Sequence, residues 1–204
     1  MAATPYARAQ GHGQSALRTA LLDIAGELLA TEGPEALSMR RIASAAGCST
    51  TVLYTLFGGK DGLVEALYVE GFSRFSRRFE AVREEDPLYR LYALGHAYRA
   101  TALAARNYYD LMFGRPISGW EPSPEAMAVA QETFGHLERA VTACLEQGRI
   151  PSGDPKVIAE SLWSVAHGVV SLELAGHLSD PDAVFTAAIT AIGFGFAPTE
   201  EEDR

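Results

Sequence analysis

The chain has 204 residues, of which 48% are hydrophobic, and its formal net charge is −9 at pH 7. This length allows one large domain, or a small domain joined to a larger one. No apolar run approaches the roughly 20 residues that span a bilayer, and the N-terminus lacks the charged start and apolar stretch of a signal peptide. We therefore expect a cytoplasmic protein with no membrane partner.

The negative charge is unevenly distributed along the chain. Residues 1–60 contain five Arg or Lys and four acids, so this segment is about +1 and the remainder about −10. Only the N-terminal quarter is therefore suited to phosphate groups, and the acidic remainder would be repelled by DNA. Cys48 and Cys144 form no metal-binding pattern, and we expect reduced thiols that pack in the protein.

Helical periodicity predicts three short helices near the N-terminus. Apolar residues at intervals of three or four predict the first helix: Leu17, Leu21, Ile24, Leu28 and Leu29. Gly33-Pro34 ends it, Ser38 is placed to cap a second helix that Gly47 ends, and Ser49 is placed to cap a third. The tight turn between the second and third helices predicts a helix-turn-helix arrangement.

Longer helices are predicted in the rest of the chain. We expect them over residues 61–83, 88–105, 107–113, 124–147, 155–178 and 181–196. Ser123, Asp154 and Asp180 each precede a proline, which places a capping side chain before a proline in the first helical position. Residues 114–123 are rich in turn formers and predict a loop. Because no strand alternation is present, the sequence predicts an all-α fold.

The third short helix offers side chains suited to reading a DNA groove. In a helix-turn-helix, the N-terminal residues of the second helix contact base edges. Thr50 and Thr51 could touch base edges or a thymine methyl, and Arg40 could reach a guanine. Tyr54 could bond a phosphate, and Lys60, with the free N–H groups of the next helix, could hold another.

The segment from Leu17 to Leu67 resembles the N-terminal domain of TetR/AcrR-family transcriptional regulators. The matching motifs are "SMRRIASAAG", "CSTTVLYTLF" and "GKDGL". The resemblance implies a flexible arm at 1–14, a helix-turn-helix DNA-binding domain at 15–60, a ligand-binding and dimerisation domain at 61–198 and an acidic tail at 199–204. The predicted DNA contacts are Ser38, Arg40, Ser49, Thr50, Thr51, Tyr54 and Lys60. Leu56 departs from the family pattern, which usually has His or an aromatic residue there.

Two further motifs resemble the regulators of this family whose C-terminal domain is named for a Trp-His-Gly motif. They are "LWSVAHGVVSLEL", with Trp163, His167 and Gly168, and "NYYDLMFG" at 107–114. The resemblance implies a homodimer in which the last two long helices of each subunit form a four-helix bundle. Small residues in these helices would allow close approach: Gly168, Ala175, Gly176, Ala187, Ala188, Ala191 and Gly193.

Bulky side chains in the C-terminal part suggest a site for a small-molecule effector, because such pockets are mostly apolar. The candidate lining residues are Tyr92, Tyr108, Met112, Phe113, Trp120, Phe134, Trp163 and His167. The same residues could form plain core, and His167 could be a hydrogen-bonded core histidine.

The sequence leaves one alternative from another functional class. Glu132 with His136, and Glu173 with His177, are each four residues apart, so each pair is predicted to share a helix face. Helical bundles do host carboxylate-histidine metal sites. A metal-binding enzyme or ligand-binding protein is the alternative, although the remaining ligands of a di-iron site cannot be assembled. We predict no enzyme activity, cofactor or metal, and a ligand-responsive repressor that a small, largely apolar effector releases from palindromic operator DNA.

Overall fold

The computed structural model describes residues 5–114 and 117–195. Within these residues the secondary structure is helical and contains no strand, which confirms the predicted all-α fold. The helices are α1 (Pro5–Glu32), α2 (Met39–Ala46), α3 (Thr50–Phe57), α4 (Lys60–Glu80), α5 (Pro87–Ala104), α6 (Arg106–Gly114), α7 (Pro124–Glu146), α8 (Pro155–Leu174) and α9 (Pro181–Gly195). A short 3₁₀ turn at Pro34–Ala36 joins α1 to α2.

The chain forms two compact units. The first unit contains the residues up to Phe72 together with Asn107–Ala128, and the second contains Ser73–Arg106 and the residues from Val129 onward. The first unit therefore holds α1 to α3, the beginning of α4, and α6. The functional domain limits inferred from the sequence, 15–60 and 61–198, stay a prediction.

The core of the first unit is made by the apolar faces of its short helices. Its fully buried side chains include Leu21 and Leu22 of α1, Ile42 of α2 and Leu53 of α3. Leu17, which the periodicity places on the same face, is 44% exposed. The predicted flexible arm at 1–14 is helical from Pro5 onward in the structure, because α1 begins at Pro5. A proline at the first helical position costs no helical hydrogen bond. Residues 1–4 lie outside the described part of the chain.

The second unit has its own apolar core around α7 and α8. Val141, Cys144, Ile150, Ile158 and Ala159 form a buried cluster. Burial raises the pKa of the Cys144 thiol to about 11, so it stays protonated at neutral pH. Cys144 is a free thiol, as is Cys48 in the first unit.

Most predicted helix caps form, with two differences. The side chains of Ser38, Ser123, Asp154 and Asp180 each accept a bond from a backbone N–H in the first turn that follows. Ser49 precedes α3 in an extended conformation, but its side chain makes no capping bond, so that prediction is wrong in detail. Asp86, which the sequence analysis did not identify as a cap, accepts from the N–H groups of Leu88 and Tyr89 and starts α5.

Two of the long helices end earlier than the sequence suggests. Helix α8 stops at Leu174 rather than near Leu178, because Gly176 takes a left-handed conformation with φ of 75°. The His177 N–H then bonds the Leu172 carbonyl at 3.0 Å, which closes the helix end. Helix α4 ends at Glu80, short of the expected Arg83.

Candidate nucleic-acid interface and effector site

Helices α2 and α3 form a helix-turn-helix with a glycine turn. Gly47 ends α2 with φ of 65° and ψ of 28°, a left-handed conformation that glycine adopts without steric cost. The Cys48 N–H bonds the Ala43 carbonyl at 3.0 Å, which fixes the turn into α3. Helix α3 buries Leu53 and Phe57, so the opposite side of this short helix is free for a partner.

The predicted DNA contacts all lie in the first unit, and most are exposed. Arg40, Ser49, Thr51 and Lys60 are exposed, and Tyr54 is 55% exposed. Thr50, in the first turn of α3, is only half-buried. Ser38 is exposed, but its hydroxyl oxygen already accepts the Arg41 N–H at 3.2 Å.

The two arginines at the start of α2 have different environments. Arg41 Nε donates to Glu32 Oε2 at 3.1 Å, and a second bond joins the same two side chains. The bond to Arg41 holds the pKa of the Glu32 carboxyl below its usual range. Arg40 is exposed and has no ion-pair partner among the described residues, so its charge is available to an anion.

Two contacts that sequence reasoning missed hold the C-terminal end of α3. The Arg18 guanidinium of α1 lies 5.4 Å from the ring centroid of Phe57, the last residue of α3. Gly62 of α4 lies so close to α3 that an added Cβ would be 2.0 Å from the Phe57 carbonyl oxygen. The glycine in "GKDGL" was the available signal for this close approach.

Four of the predicted effector residues belong to the first unit. Tyr108 is fully buried and its hydroxyl donates to Asp23 Oδ1 at 2.9 Å, as a core tyrosine does. Phe113 packs against Phe72, with ring centroids 5.9 Å apart. Met112 and Trp120 line a cavity of about 90 Å³, whose other walls are Tyr68, Leu111, Ile117, Glu121 and Pro122. We call it the Trp120 cavity.

The other four predicted effector residues belong to the second unit, where three of them join a chain of stacked rings. Phe134 contacts Trp163 at 5.9 Å between centroids, and Trp163 contacts His167 at 5.4 Å. A hydrogen bond of 2.8 Å joins His167 Nδ1 to the Tyr98 hydroxyl. Tyr92 lies elsewhere, against Gly193 of α9, where an added Cβ would be 2.5 Å from its hydroxyl oxygen.

Two histidines of the second unit are held in the neutral form. Burial lowers the pKa of His167. Burial and the Arg139 charge lower the pKa of His136, which lies 3.1 Å from the Ser76 hydroxyl. Both rings therefore act at neutral pH as uncharged hydrogen-bonding groups.

The proposed carboxylate-histidine pairs do not form metal sites. His136 is bonded to Ser76, and Glu173 makes two bonds of 2.7 Å to Arg99. His177 lies beyond the end of α8, so the prediction that it shares a helix face with Glu173 is wrong. In the described part of the chain, no group of three or more potential metal ligands comes together.

Comparison with known proteins identifies the family. A model described as "Bacterial regulatory proteins, tetR family" matches residues 21–67, and one described as "Tetracyclin repressor-like, C-terminal domain" matches residues 91–192. The chain belongs to the TetR family. This confirms the resemblance seen in the sequence, and the protein is a transcriptional regulator with an N-terminal helix-turn-helix and a helical C-terminal domain.

Individual relatives of this TetR-family chain have matching names and folds. The HTH-type transcriptional repressor KstR2 of Rhodococcus jostii is 33% identical over 136 residues, which cover 66% of this chain and 58% of the relative. The HTH-type transcriptional regulator Rv1816 of Mycobacterium tuberculosis is 24% identical, covering 82% of this chain and 86% of the relative. A solved structure of unknown function from Rhodococcus sp. RHA1 is 30% identical, with a TM-score of 0.78, covering 89% of this chain and 96% of that one.

TetR-family regulators bind operator DNA and typically form homodimers, and ligand-responsive repression is typical of them. The family is usually non-enzymatic. In this member, α8 and α9 leave an apolar surface uncovered: Val157 is 58% exposed and Leu172 is 47% exposed. The small residues Gly168, Ala187 and Ala191 are also exposed.

Helix α8 also corrects one expectation from the sequence. It has 20 residues and a mean hydropathy of 1.2, enough by length and composition to cross a membrane, although no such apolar run was expected. The core helix of a soluble protein can have the same length and hydropathy. Only 22% of this helix segment is buried.

Proposed function

We propose that the protein is a homodimeric repressor that binds a near-palindromic operator in the cytoplasm and leaves it when a small, largely apolar effector binds. The exposed side of α3 is the observation that carries this proposal. This helix of eight residues buries Leu53 and Phe57 and presents Thr51 and Tyr54 to solvent, in a chain of the TetR family. A DNA groove is the partner that such a surface suits.

The roles of individual side chains follow from their exposure and chemistry. Thr51, together with the half-buried Thr50 and with Ser49, would contact base edges at the start of α3. Arg40, whose charge is not neutralised by a described residue, would donate to a guanine. Tyr54 and Lys60 would each bind a DNA phosphate. The hydroxyl of Ser38 accepts the Arg41 N–H and can still donate a hydrogen bond to a third phosphate.

The apolar surface of α8 and α9 supports the homodimer. A second copy of the same surface would cover Val157 and Leu172, and the exposed small residues permit close helix packing. A two-fold dimer presents two copies of α3, which fit half-sites about 34–36 Å apart on DNA.

Release of DNA would be a population shift between two dimer conformations. An effector that prefers the conformation with the wrong α3 spacing depletes the form that binds DNA. To change the ratio of the two conformations from 1:99 to 99:1, the effector must bind one of them more favourably than the other by about 5.5 kcal/mol. The helix α4 begins at Lys60, directly after α3, and is the segment that would change the position of α3.

Selection of DNA from a random pool by the purified protein tests the proposal. We expect enrichment of an inverted repeat with half-site centres one helical turn apart. Selection with Thr51→Ala should give a consensus relaxed at one base pair of each half-site, whereas Thr55→Ala should not, because the Thr55 hydroxyl bonds the Thr51 carbonyl within the helix. A pool without enrichment after repeated rounds would count against sequence-specific DNA binding.

A further inference from the structure

We propose that the Trp120 cavity binds a compact organic cation, such as a quaternary ammonium group, and that this cation is the recognised part of an otherwise largely apolar effector. This inference rests on the proposed function for its regulatory meaning, but the binding itself does not. The cavity lies entirely within the first unit, the same unit that contains α2 and α3.

The aromatic walls of the cavity suit a cation. Tyr68 of α4 and Trp120 of the α6–α7 loop lie with ring centroids 5.6 Å apart and ring planes at 58°. Their faces carry the negative part of the ring quadrupole, which attracts a positive charge within about 6 Å of the centroid. Tyr68 also packs on Phe72 at 4.9 Å, so its ring is held in place.

The negative charge around the cavity also favours a cation. Glu121 is the one formally charged side chain among the described lining residues. A carboxylate beside two aromatic faces attracts a cation and repels an anion. A second carboxylate, Glu65, accepts a 2.8 Å bond from Ser123, just after the lining residue Pro122.

The size of the cavity limits the ligand. A volume of about 90 Å³ is well below the roughly 300–1,000 Å³ of pockets that hold drug-sized ligands. It suits a group with few non-hydrogen atoms. The cavity can also enlarge, because Trp120 is half-buried and Met112 has a flexible side chain. Gly71 provides the room for Met112, since an added Cβ would be 2.4 Å from its sulfur.

The cavity is connected to the DNA-binding helices through α4. Tyr68 lies two turns after Lys60, about 12 Å along the helix axis. The loop is attached to the same helix by the bond from Ser123 to Glu65. A ligand that moves Trp120 would therefore act on α4 from two points, and α4 begins immediately after α3.

The binding experiment uses two probes of the same shape and different charge: choline and 3,3-dimethylbutan-1-ol. The Trp163→Phe protein retains Trp120 as its one tryptophan, and its fluorescence is recorded while each probe is added. We expect choline to change the emission with saturation, and to bind about tenfold more tightly than the neutral alcohol. An equal response to both probes, or a response to neither, would overturn the proposal.

Two variants identify the source of the preference. Glu121→Gln keeps the shape of the side chain and should reduce the preference for choline to the part that the two aromatic faces supply. Glu125→Gln removes a carboxylate of the first turn of α7 that does not line the cavity, and the preference should persist. Loss of the preference in both variants would mean a general charge effect rather than a site.

Operator affinity of the wild-type protein is then measured with choline chloride and with sodium chloride at equal concentration. We expect choline to weaken operator binding beyond the effect of salt. If the protein fails to bind DNA at all, the proposed function fails. If it binds DNA and choline does not change Trp120 fluorescence, only the cavity assignment fails.

Discussion

Lys60 combines two features that favour a phosphate. Its ammonium group is exposed, and it stands at the first position of α4, where backbone N–H groups lack helical partners. Asp61 in the same turn partly offsets this potential. Arg40 is the second exposed cation of the region, while Arg41 is already neutralised by Glu32.

Replacing Lys60 by alanine should weaken binding to all DNA sequences alike. The number of cations released on binding falls by about one per half-site, so the slope of log affinity against log salt becomes shallower. Fluorescence anisotropy over a salt series measures both quantities. The matched control is Lys156→Ala at the start of α8, the other lysine of the chain. A changed sequence preference with an unchanged slope would contradict a phosphate role for Lys60.

The neutral histidines of the second unit predict a dependence of stability on pH. Because the pKa values of His136 and His167 are lowered on folding, the unfolded chain takes up their protons first. The contribution of these two histidines to stability is fully present above the unfolded pKa of about 6.5, and it is lost as the pH falls towards their folded pKa values.

Urea denaturation at pH 7.5, 6.5 and 5.5 measures this loss. We expect the double variant His136→Asn/His167→Asn to lose less stability between pH 6.5 and 5.5 than the wild type. The exposed His177 provides the control, and His177→Asn should behave like the wild type. Identical pH dependence of the double variant and the wild type would contradict this account.

At the scale of helices, the first unit depends on a close approach between α3 and α4. Replacing Gly62 by alanine places a Cβ against the Phe57 carbonyl oxygen, and neither backbone can yield without moving its helix. We expect a loss of about 1–3 kcal/mol in the free energy of unfolding, together with weaker operator binding.

Gly59→Ala is the matched control for this prediction, because a Cβ at Gly59 meets no atom within 4 Å. The stability of both variants is measured by thermal unfolding, and their operator affinity is measured alongside it. If Gly62→Ala proves as stable as Gly59→Ala, the backbones do not approach as closely as the structure has them.

The ends of the short helices could be predicted from the sequence, whereas most contacts between helices could not. Ser38 and Gly47 were sufficient to place the ends of α2, because capping and left-handed glycine are local properties. The glycine in "GKDGL" could have indicated the close approach of Gly62 to α3. The stacking of Arg18 on Phe57 depends on tertiary packing, so the sequence alone could not predict it. The predicted effector residues divide between two units for the same reason: periodicity places a residue on a helix face but does not identify the helix it meets.

In the second unit, Arg99 joins three helices. It forms two bonds to Glu173 of α8 and one of 2.6 Å to Asp182 of α9, and its guanidinium lies 5.3 Å from the Phe185 ring centroid. The side chains of Arg99 and Glu173 are 15% and 10% exposed, whereas Asp182 is largely in solvent. The Glu173 pair is therefore the one that matters for stability.

Arg99→Met should destabilise the protein by about 3 kcal/mol, because it leaves the Glu173 carboxylate nearly buried without its partner. The double variant Arg99→Met/Glu173→Leu should recover much of this loss, since both charges are removed. Denaturant unfolding of the two single variants and the double variant measures the coupling. Additive losses would show that the pair contributes nothing as a pair.

For the whole molecule, charge and symmetry support one orientation on DNA. Arg40, Arg41 and Lys60 lie in the unit that contains α3, and residues 1–60 carry a charge of about +1 whereas the remainder of the chain carries about −10. A dimer formed through α8 and α9 would present two such units to a two-fold operator. We propose that α3 reads the DNA sequence, while the phosphate contacts bind any DNA.

The most direct test of this claim is the affinity of the wild-type protein for the DNA flanking its own gene, compared with unrelated DNA of equal length over a salt series. We expect tight binding to the flanking DNA, about 10³-fold or more tighter than to unrelated DNA, and a steep loss of affinity with salt for both. Equal affinity for both sequences, or a flat salt dependence, would contradict it.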